Sequence, residues 1–358
     1  MNDLSDTQTT LLLPPQAVSL ALEASEVLKP DAQVAPYWAG EGGMLFSGDC
    51  MDFLPALKDG VVDTVFADPP FNLGKLYGKR TRDDLAEDKY LAWCKSWLLE
   101  CIRVLKPGGA LFIYNLPRWN IQLGAFLFEQ GLTFRHWIAI EHKSGFPIEG
   151  RLYPAHYGLL YFTKGKPRAF RRIRTPILKC RHCGGEIRDY GGHRHAMKPN
   201  GVNLMDIWSD IPPVRHGKFK SEKRAANALS TKVLDRVVEM TTTAGDIVLD
   251  PFGGSGTTYA VARDKGRRWI GMELDFASVV VERLTQDTIA PHANTDYVEG
   301  ADSGSDSGAD RLRCGGKGDR TARVRRVVRR ATERPSGGPD TCPPAAERKR
   351  RRRHQGTD

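Results

Sequence analysis

Two short stretches of this chain hold side chains whose types and order could do chemistry. In the first, DIVLDPFGGSGTT at 246–258, an apolar run enters Asp250-Pro251-Phe252-Gly253-Gly254-Ser255-Gly256 and continues as a helical pattern, and Glu273 closes the next apolar run. Glycines let backbone pass close to a ligand, and a carboxylate placed like Glu273 can accept both ribose hydroxyls of a nucleoside. No Lys follows the glycines in the order that cradles a triphosphate, and Tyr259 stands where the third glycine of a dinucleotide loop would fall. A cofactor with a ribose and no phosphate fits, and S-adenosylmethionine is the obvious one.

The second stretch is Asp68-Pro69-Pro70-Phe71, which ends the apolar run VVDTVFA. Ligands of open α/β sheets sit at that end of the strands. The two prolines remove two N–H groups and stiffen the turn, so the Asp68 carboxylate and the Pro69 carbonyl become adjacent acceptors. An exocyclic amino group offers the two matching donors. The lone pair of an adenine N6 is delocalised into its ring and attacks poorly. Hydrogen bonds from both amino protons to Asp68 and Pro69 favour a pyramidal nitrogen, able to attack a sulfonium methyl in line. Phe71 offers a stacking face for a base flipped from its helix. This chemistry requires neither a metal nor a covalent intermediate.

The elements that must hold these stretches alternate. MLFSGD reads as a strand, MDFLPALKDG as a short helix and VVDTVFADPP as a strand, a βαβ beginning. DDLAEDKYLAWCKSWLLECIRVL follows at helical spacing and stops at KPGG; Trp93 and Trp97, four apart on it, read as core. Next come the strand ALFIYN, the helix IQLGAFLFEQGL and the strands LTFRHWIAIEHK and HYGLLYFTKG. After a turn-rich interval, STKVLDRVVEMTT, DIVLD, TTYAVARDKG, RWIGMELD and FASVVVERLTQDTI continue as helix, strand, helix, strand, helix. The fold class is a three-layer α/β sheet of Rossmann type whose last strands pair antiparallel. Order is expected to begin near Met44, after a weakly periodic arm.

Composition narrows the class. The 358 residues are 40% hydrophobic and carry a net charge of +10, of which the last stretch from Pro291 holds more than half, in runs such as RVRRVVRR and ERKRRRRHQ. Such a tail, poor in apolar residues, reads as disordered and basic. The seven cysteines are an odd number, and Pro14-Pro15 stop the only early apolar run. A reducing cytoplasm is expected rather than a disulfide framework, and no stretch approaches the roughly 20 apolar residues of a membrane span.

With DPPF at 68–71, SGDCMDFL before it and DPFGGSGTT far downstream, the chain resembles the amino-DNA methyltransferases of the beta class, from about Met44 to Thr285. In that class the catalytic motif precedes the cofactor motif, so the resemblance implies a circularly permuted methyltransferase sheet. It implies catalytic roles for Asp68, Pro69, Pro70 and Phe71. It also places Asp49 and Cys50 near the cofactor adenine, Asp250 in the cofactor loop, Glu273 at the ribose, and Phe252, Gly254, Ser255 and Thr257 around the methionine part. Lys232 is implied at the same site, although where many relatives carry an HPTQKP-like string this chain has ALSTKVLDR. The implied activity is site-specific methylation of adenine N6 in duplex DNA; Asp68, rather than Ser, favours adenine over cytosine N4. A retained fold that only binds DNA is the alternative outside catalysis. The resemblance further implies a restriction-modification setting, with a cognate endonuclease and a homodimer as candidate partners.

Five segments follow: an arm at 1–40, a catalytic half at 41–164, an inserted target-recognition region at 165–228, a cofactor-binding half at 229–290 and a basic tail at 291–358. Within the insertion, Arg168, Arg171, Arg172, Arg174, Lys218 and Lys220 could neutralise phosphates. Cys180, Cys183, His193 and His195 are ligand types that suit a structural zinc, but the histidine pair is more closely spaced than in most zinc knuckles.

Overall fold

The computed structural model describes residues 20–75, 83–142, 149–150, 152–177, 179, 182–185, 201–212, 229–285 and 297–298. The described residues at 177, 179 and 182–185 fall in a second compact unit; every element named below belongs to the first.

In chain order the elements are α1 (Ala24–Val27), β1 (Trp38–Gly40), β2 (Gly43–Ser47), α2 (Cys50–Phe53), β3 (Val62–Ala67), α3 (Glu87–Val104), β4 (Leu105–Asn115), α4 (Pro117–Glu129), β5 (Thr133–Glu141), β6 (His156–Thr163) and β7 (Ile173–Thr175). They continue with β8 (Val202–Asn203), β9 (Ile207–Trp208), α5 (Thr231–Thr241), β10 (Ile247–Asp250), α6 (Thr257–Asp264), β11 (Arg268–Glu273), α7 (Ala277–Thr285) and β12 (Tyr297–Val298). The main sheet has nine strands in the order β1-β2-β11-β10-β3-β4-β6-β5-β9. Strands β2, β11, β10, β3 and β4 run parallel, whereas β6 is antiparallel to both β4 and β5. Their sequences show why: β3 is buried at every residue and β10 likewise, as strands covered on both faces must be. One buried cluster, with Trp97, Leu98, Leu111 and Leu249, lies on one face of the sheet, and another, with Phe112, Leu234, Val237 and Trp269, on the other. The three-layer α/β expectation is met, including the antiparallel end.

Strands β10 and β11, late in the chain, fill the middle of the sheet between β2 and β3. Parallel strands present their C-terminal ends together, so Ser47, Ala67 and Asp250 bring Asp49, Asp68 and the glycine loop to one edge.

Order begins before Met44, contrary to expectation. Leu22, Val27 and Leu28 are buried in the core, Lys29 N–H donates to the Ala56 carbonyl at 2.9 Å and Lys58 N–H to the Val27 carbonyl at 2.8 Å. Three apolar side chains at irregular spacing give no periodic signal, but each covers core surface that would otherwise face water. Helix α4 starts at Pro117 rather than near Ile121, because proline at the first helical turn has no N–H to leave unpaired.

Candidate active site

The DPPF turn is clamped from behind. Tyr90, from α3, donates its hydroxyl to the Pro70 carbonyl at 2.7 Å and accepts from Asn115 Nδ2 at 3.0 Å. Trp119 Nε1 donates to the Phe71 carbonyl at 2.9 Å. Asn72 then turns the chain with φ of 56°, unusual for a residue with a side chain, and its amide exchanges hydrogen bonds with Leu85 N and O at 2.7 and 2.8 Å. The Asp83 carboxylate accepts the N–H groups of Asn72, Leu73 and Lys75. Among the described residues these bonds use the Pro70 and Phe71 carbonyls and leave the Asp68 carboxylate and Pro69 carbonyl without a hydrogen-bond partner.

Phe71 is half-buried against Tyr114 of β4 and Tyr157 of β6, with ring centroids 5.9 and 5.6 Å away, and the two tyrosines stand 5.2 Å from each other. Burial, followed by the charge of Asp68, pushes both phenols up. An aromatic box therefore adjoins the carboxylate.

The glycine loop is built over Tyr259. This side chain is fully buried, donates its hydroxyl to the Asp250 carbonyl at 3.0 Å and stacks on Trp269 at 4.9 Å. A Cβ on Gly253 would lie 2.2 Å from the Tyr259 hydroxyl and one on Gly271 2.5 Å from its ring, so neither position can carry a side chain while the tyrosine stays. Gly254 and Gly256 adopt φ of 54° and 76°, the left-handed region. Phe252 is seated by Trp93 and Trp97, at 5.7 and 5.0 Å.

Asp68 and this loop line one cleft of about 270 Å³, part of it open to solvent. Leu229, Asp250, Phe252, Gly253, Gly254, Ser255, Thr257 and Thr258 complete its walls. Burial, and then the charge of Asp250, hold the Asp68 carboxyl well above the usual carboxylate range. Burial likewise pushes Asp250 up to about 7, against the Thr258 hydroxyl and Phe252 N–H that donate to it at 2.5 and 2.9 Å. Glu273 is also raised by burial, and its carboxylate accepts the N–H groups of Gly254, Asp275 and Phe276. Among the described residues no Lys or Arg lines the cleft. Carboxylates held so close without a counter-charge favour a cationic ligand.

The model of the N6/N4 DNA methylase family matches residues 62–279, more than half of the chain. The chain belongs to this family. Among curated relatives, the type II methyltransferase M.BamHI of Bacillus amyloliquefaciens is 52% identical over 253 residues, covering 70% of this chain and 59% of that one. The type II methyltransferase M.HpaI of Haemophilus parainfluenzae is 31% identical over 247 residues, 67% of this chain and 73% of its own. The chain thus spans less than two thirds of the M.BamHI length. The solved structure of the PvuII DNA methyltransferase (cytosine-N4-specific) shares the fold, with a TM-score of 0.51 at 19% identity over 71% of this chain and 90% of that one.

Of the residues singled out in the sequence, Asp68, Asp250, Phe252, Gly254, Ser255 and Thr257 line one cleft, and Glu273 accepts the Gly254 N–H at 2.6 Å beside it. Asp49 caps α2, accepting Met51 N–H at 2.9 Å, and Gly48 N–H donates to the Glu273 carbonyl at 3.0 Å, so Asp49 neighbours the same edge. The Cys50 side chain instead enters the core, where burial pushes its thiol up. Lys232 pairs with Asp210 at 2.7 Å beside the buried Arg236 and does not line the cleft.

The basic residues of the insertion differ most from expectation. Arg168 bridges Asp63, at 2.7 Å, and Asp246, the second residue of β3 and the residue before β10. Since β3 rises by about 3.3 Å per residue, Asp63 and Asp68 lie about 16 Å apart at opposite ends of the strand. Arg171 pairs with Glu239 at 3.0 Å, and Arg174 is buried, donating to Asn203 Oδ1 at 3.1 Å and to the Gly201 carbonyl. All three are engaged within the chain; Arg172 is exposed at the surface. Lys218, Lys220, Cys180, His193 and His195 lie outside the described residues; Cys183 is a free, exposed thiol. Among the described helices none is long and apolar enough to cross a membrane.

Sequence reasoning missed Asp83, Tyr90, Asn115, Trp119, Tyr114 and Tyr157. None of them left a signal in the sequence; in the structure Asp83 and Asn115 stand out as buried polar side chains that need partners.

Proposed function

We propose that the protein transfers a methyl group from S-adenosylmethionine to an exocyclic amino nitrogen of a base flipped out of duplex DNA, at a particular short sequence. The reading rests on one observation: the Asp68 carboxylate and the glycine loop share one cleft. S-adenosylmethionine supplies an activated methyl on a positively charged sulfur. The residues present fit it: Glu273, bonded to the glycine loop, would accept the ribose hydroxyls, the glycines allow close approach, and Asp68 and Asp250 complement a cation.

Asp68 and the Pro69 carbonyl accept the two amino protons and turn the nitrogen lone pair toward the methyl. Phe71, Tyr114 and Tyr157 hold the base and keep water away. The nitrogen–carbon bond forms as the carbon–sulfur bond breaks, and the nitrogen then sheds one proton. Asp68, with its raised affinity for protons, is placed to receive it. Adenine N6 is the target that the aspartate in the motif favours. Cytosine N4 offers the same two donors and is the second reading. Lys218 and Lys220 are candidates for phosphate contact, and a zinc at Cys180, Cys183, His193 and His195 would serve to hold a small subdomain.

Expression in a host free of DNA methylation, followed by nucleoside mass spectrometry, tests the reading against an Asp68→Ala control. N6-methyladenine present only with the intact protein is the expected result. N4-methylcytosine would keep the mechanism and change the base. Neither product would overturn the reading.

A further inference from the structure

Arg283 lies on α7, behind the glycine loop and not on the cleft wall. Its Nη1 stands 3.0 Å from each of three oxygens: the Ser255 carbonyl, Ser255 Oγ and Thr257 Oγ1. A hydroxyl has one proton to donate and two positions at which to accept. With the guanidinium donating to both hydroxyl oxygens, the protons of Ser255 and Thr257 are turned away from it. Both residues line the cleft, and their oxygens stand 3.4 Å apart across Gly256, whose φ of 76° sets them side by side. One of the two hydroxyls can donate to the other, which leaves at least one O–H donor, backed by the Arg283 cation, for a ligand in the cleft that Asp68 and Asp250 also line.

We infer that Arg283 is a positioning residue for the α-carboxylate of the bound cofactor, fixing the Ser255 and Thr257 hydroxyl pair that donates to it. The inference rests on the reading above, that the cleft takes S-adenosylmethionine. It assigns a role to a side chain outside the glycine motif, and one that a ligand lacking the carboxylate should not sense.

The test compares two neutral-sulfur probes by calorimetric titration of the full chain. S-adenosylhomocysteine carries the amino-acid group; 5′-methylthioadenosine has the same nucleoside without it. Arg283→Met should weaken S-adenosylhomocysteine by about 10- to 100-fold, the range for a charge-assisted hydrogen-bond network, and leave 5′-methylthioadenosine within about 2-fold. Arg283→Lys should recover part of the loss, since a lysine keeps the charge but not the fork. Ser255→Ala should show a smaller loss confined to the same probe, and serves if Arg283→Met does not fold. Equal weakening of both probes, or an unchanged affinity for S-adenosylhomocysteine, would overturn the inference. If the unmodified protein binds neither probe, the cofactor reading itself falls and takes this one with it.

Discussion

The two ends of the same strands treat the same side chains in opposite ways. Strand β3 carries Asp63 as its second residue and is followed by Asp68; β10 is preceded by Asp246 and ends at Asp250. At the opening edge every carboxylate is answered. Asp63 takes Lys106 at 2.8 Å, Arg168 and the Ile247 N–H; Asp246 takes Arg168; Glu239 takes Arg171, Lys265 and Arg267, and these cations hold its carboxyl below the usual range despite burial. At the closing edge Asp68, Asp250 and Glu273 line or flank a cleft with no basic side chain among the described residues of its wall, and burial raises all three. Where the chain needs only to fold, charge is neutralised from within. Where a ligand is to arrive, neutralisation is left to the ligand.

Substitutions at the two edges should therefore fail in different ways. The largest effect is expected from Asp68→Ala, which should lower methyl transfer by about 10³-fold or more while S-adenosylhomocysteine binding changes little. Single-turnover assays beside calorimetry would show it, and comparable turnover would remove Asp68 from the reaction. Asp63→Ala should do the reverse. It leaves the Ile247 N–H buried without an acceptor and should cost about 2–3 kcal/mol in denaturant unfolding, with transfer per folded molecule unchanged. A loss of turnover at full folding would make the opening edge functional.

Tyr90→Phe stands between the two. Removing its hydroxyl deprives the Pro70 carbonyl of a donor and should cost about 1 kcal/mol of stability, with kcat reduced several-fold and cofactor KM nearly constant. The smallest effect is in pH dependence. Asp250, with a folded pKa of about 7 against an ordinary value of 3.8, is favoured in its protonated form by the fold. Its contribution to apo-protein stability is complete below about pH 4 and is lost as pH rises through about 7. Melting temperatures between pH 5 and 8 should therefore fall more steeply in the native chain than in Asp250→Asn. The cationic sulfonium should bind better as the same group ionises, so the affinity ratio of S-adenosylmethionine to S-adenosylhomocysteine should rise over that range.

Much of this edge was legible in the sequence. An apolar run ending in Asp-Pro-Pro-Phe and another ending in a glycine loop place their own residues, because strand direction alone puts both ends together. The supports were not legible. Tyr90, Asn115 and Trp119 reach the turn from α3, the end of β4 and α4, and helical spacing says only that such residues are apolar or buried. The basic residues were misjudged for a related reason. A run such as KPRAFRRIRT gives charge but not the addresses of Asp63, Asp246 and Glu239, which complete the pairs from distant segments. Tyr259 shows the converse. It seemed to spoil a glycine pattern, yet it is the support that makes Gly253 and Gly271 obligatory.

The position of β10 and β11 also bears on how the chain is made. During synthesis β2 and β3 emerge early, but β10 and β11, which join them in the finished sheet, begin only at Ile247. Until then two apolar strands wait with unpaired edges, the condition under which nascent chains associate wrongly. The ribosome must deliver most of the chain before the central sheet can close, so a fragment ending before β10 would be a substrate for chaperones rather than a smaller folded domain.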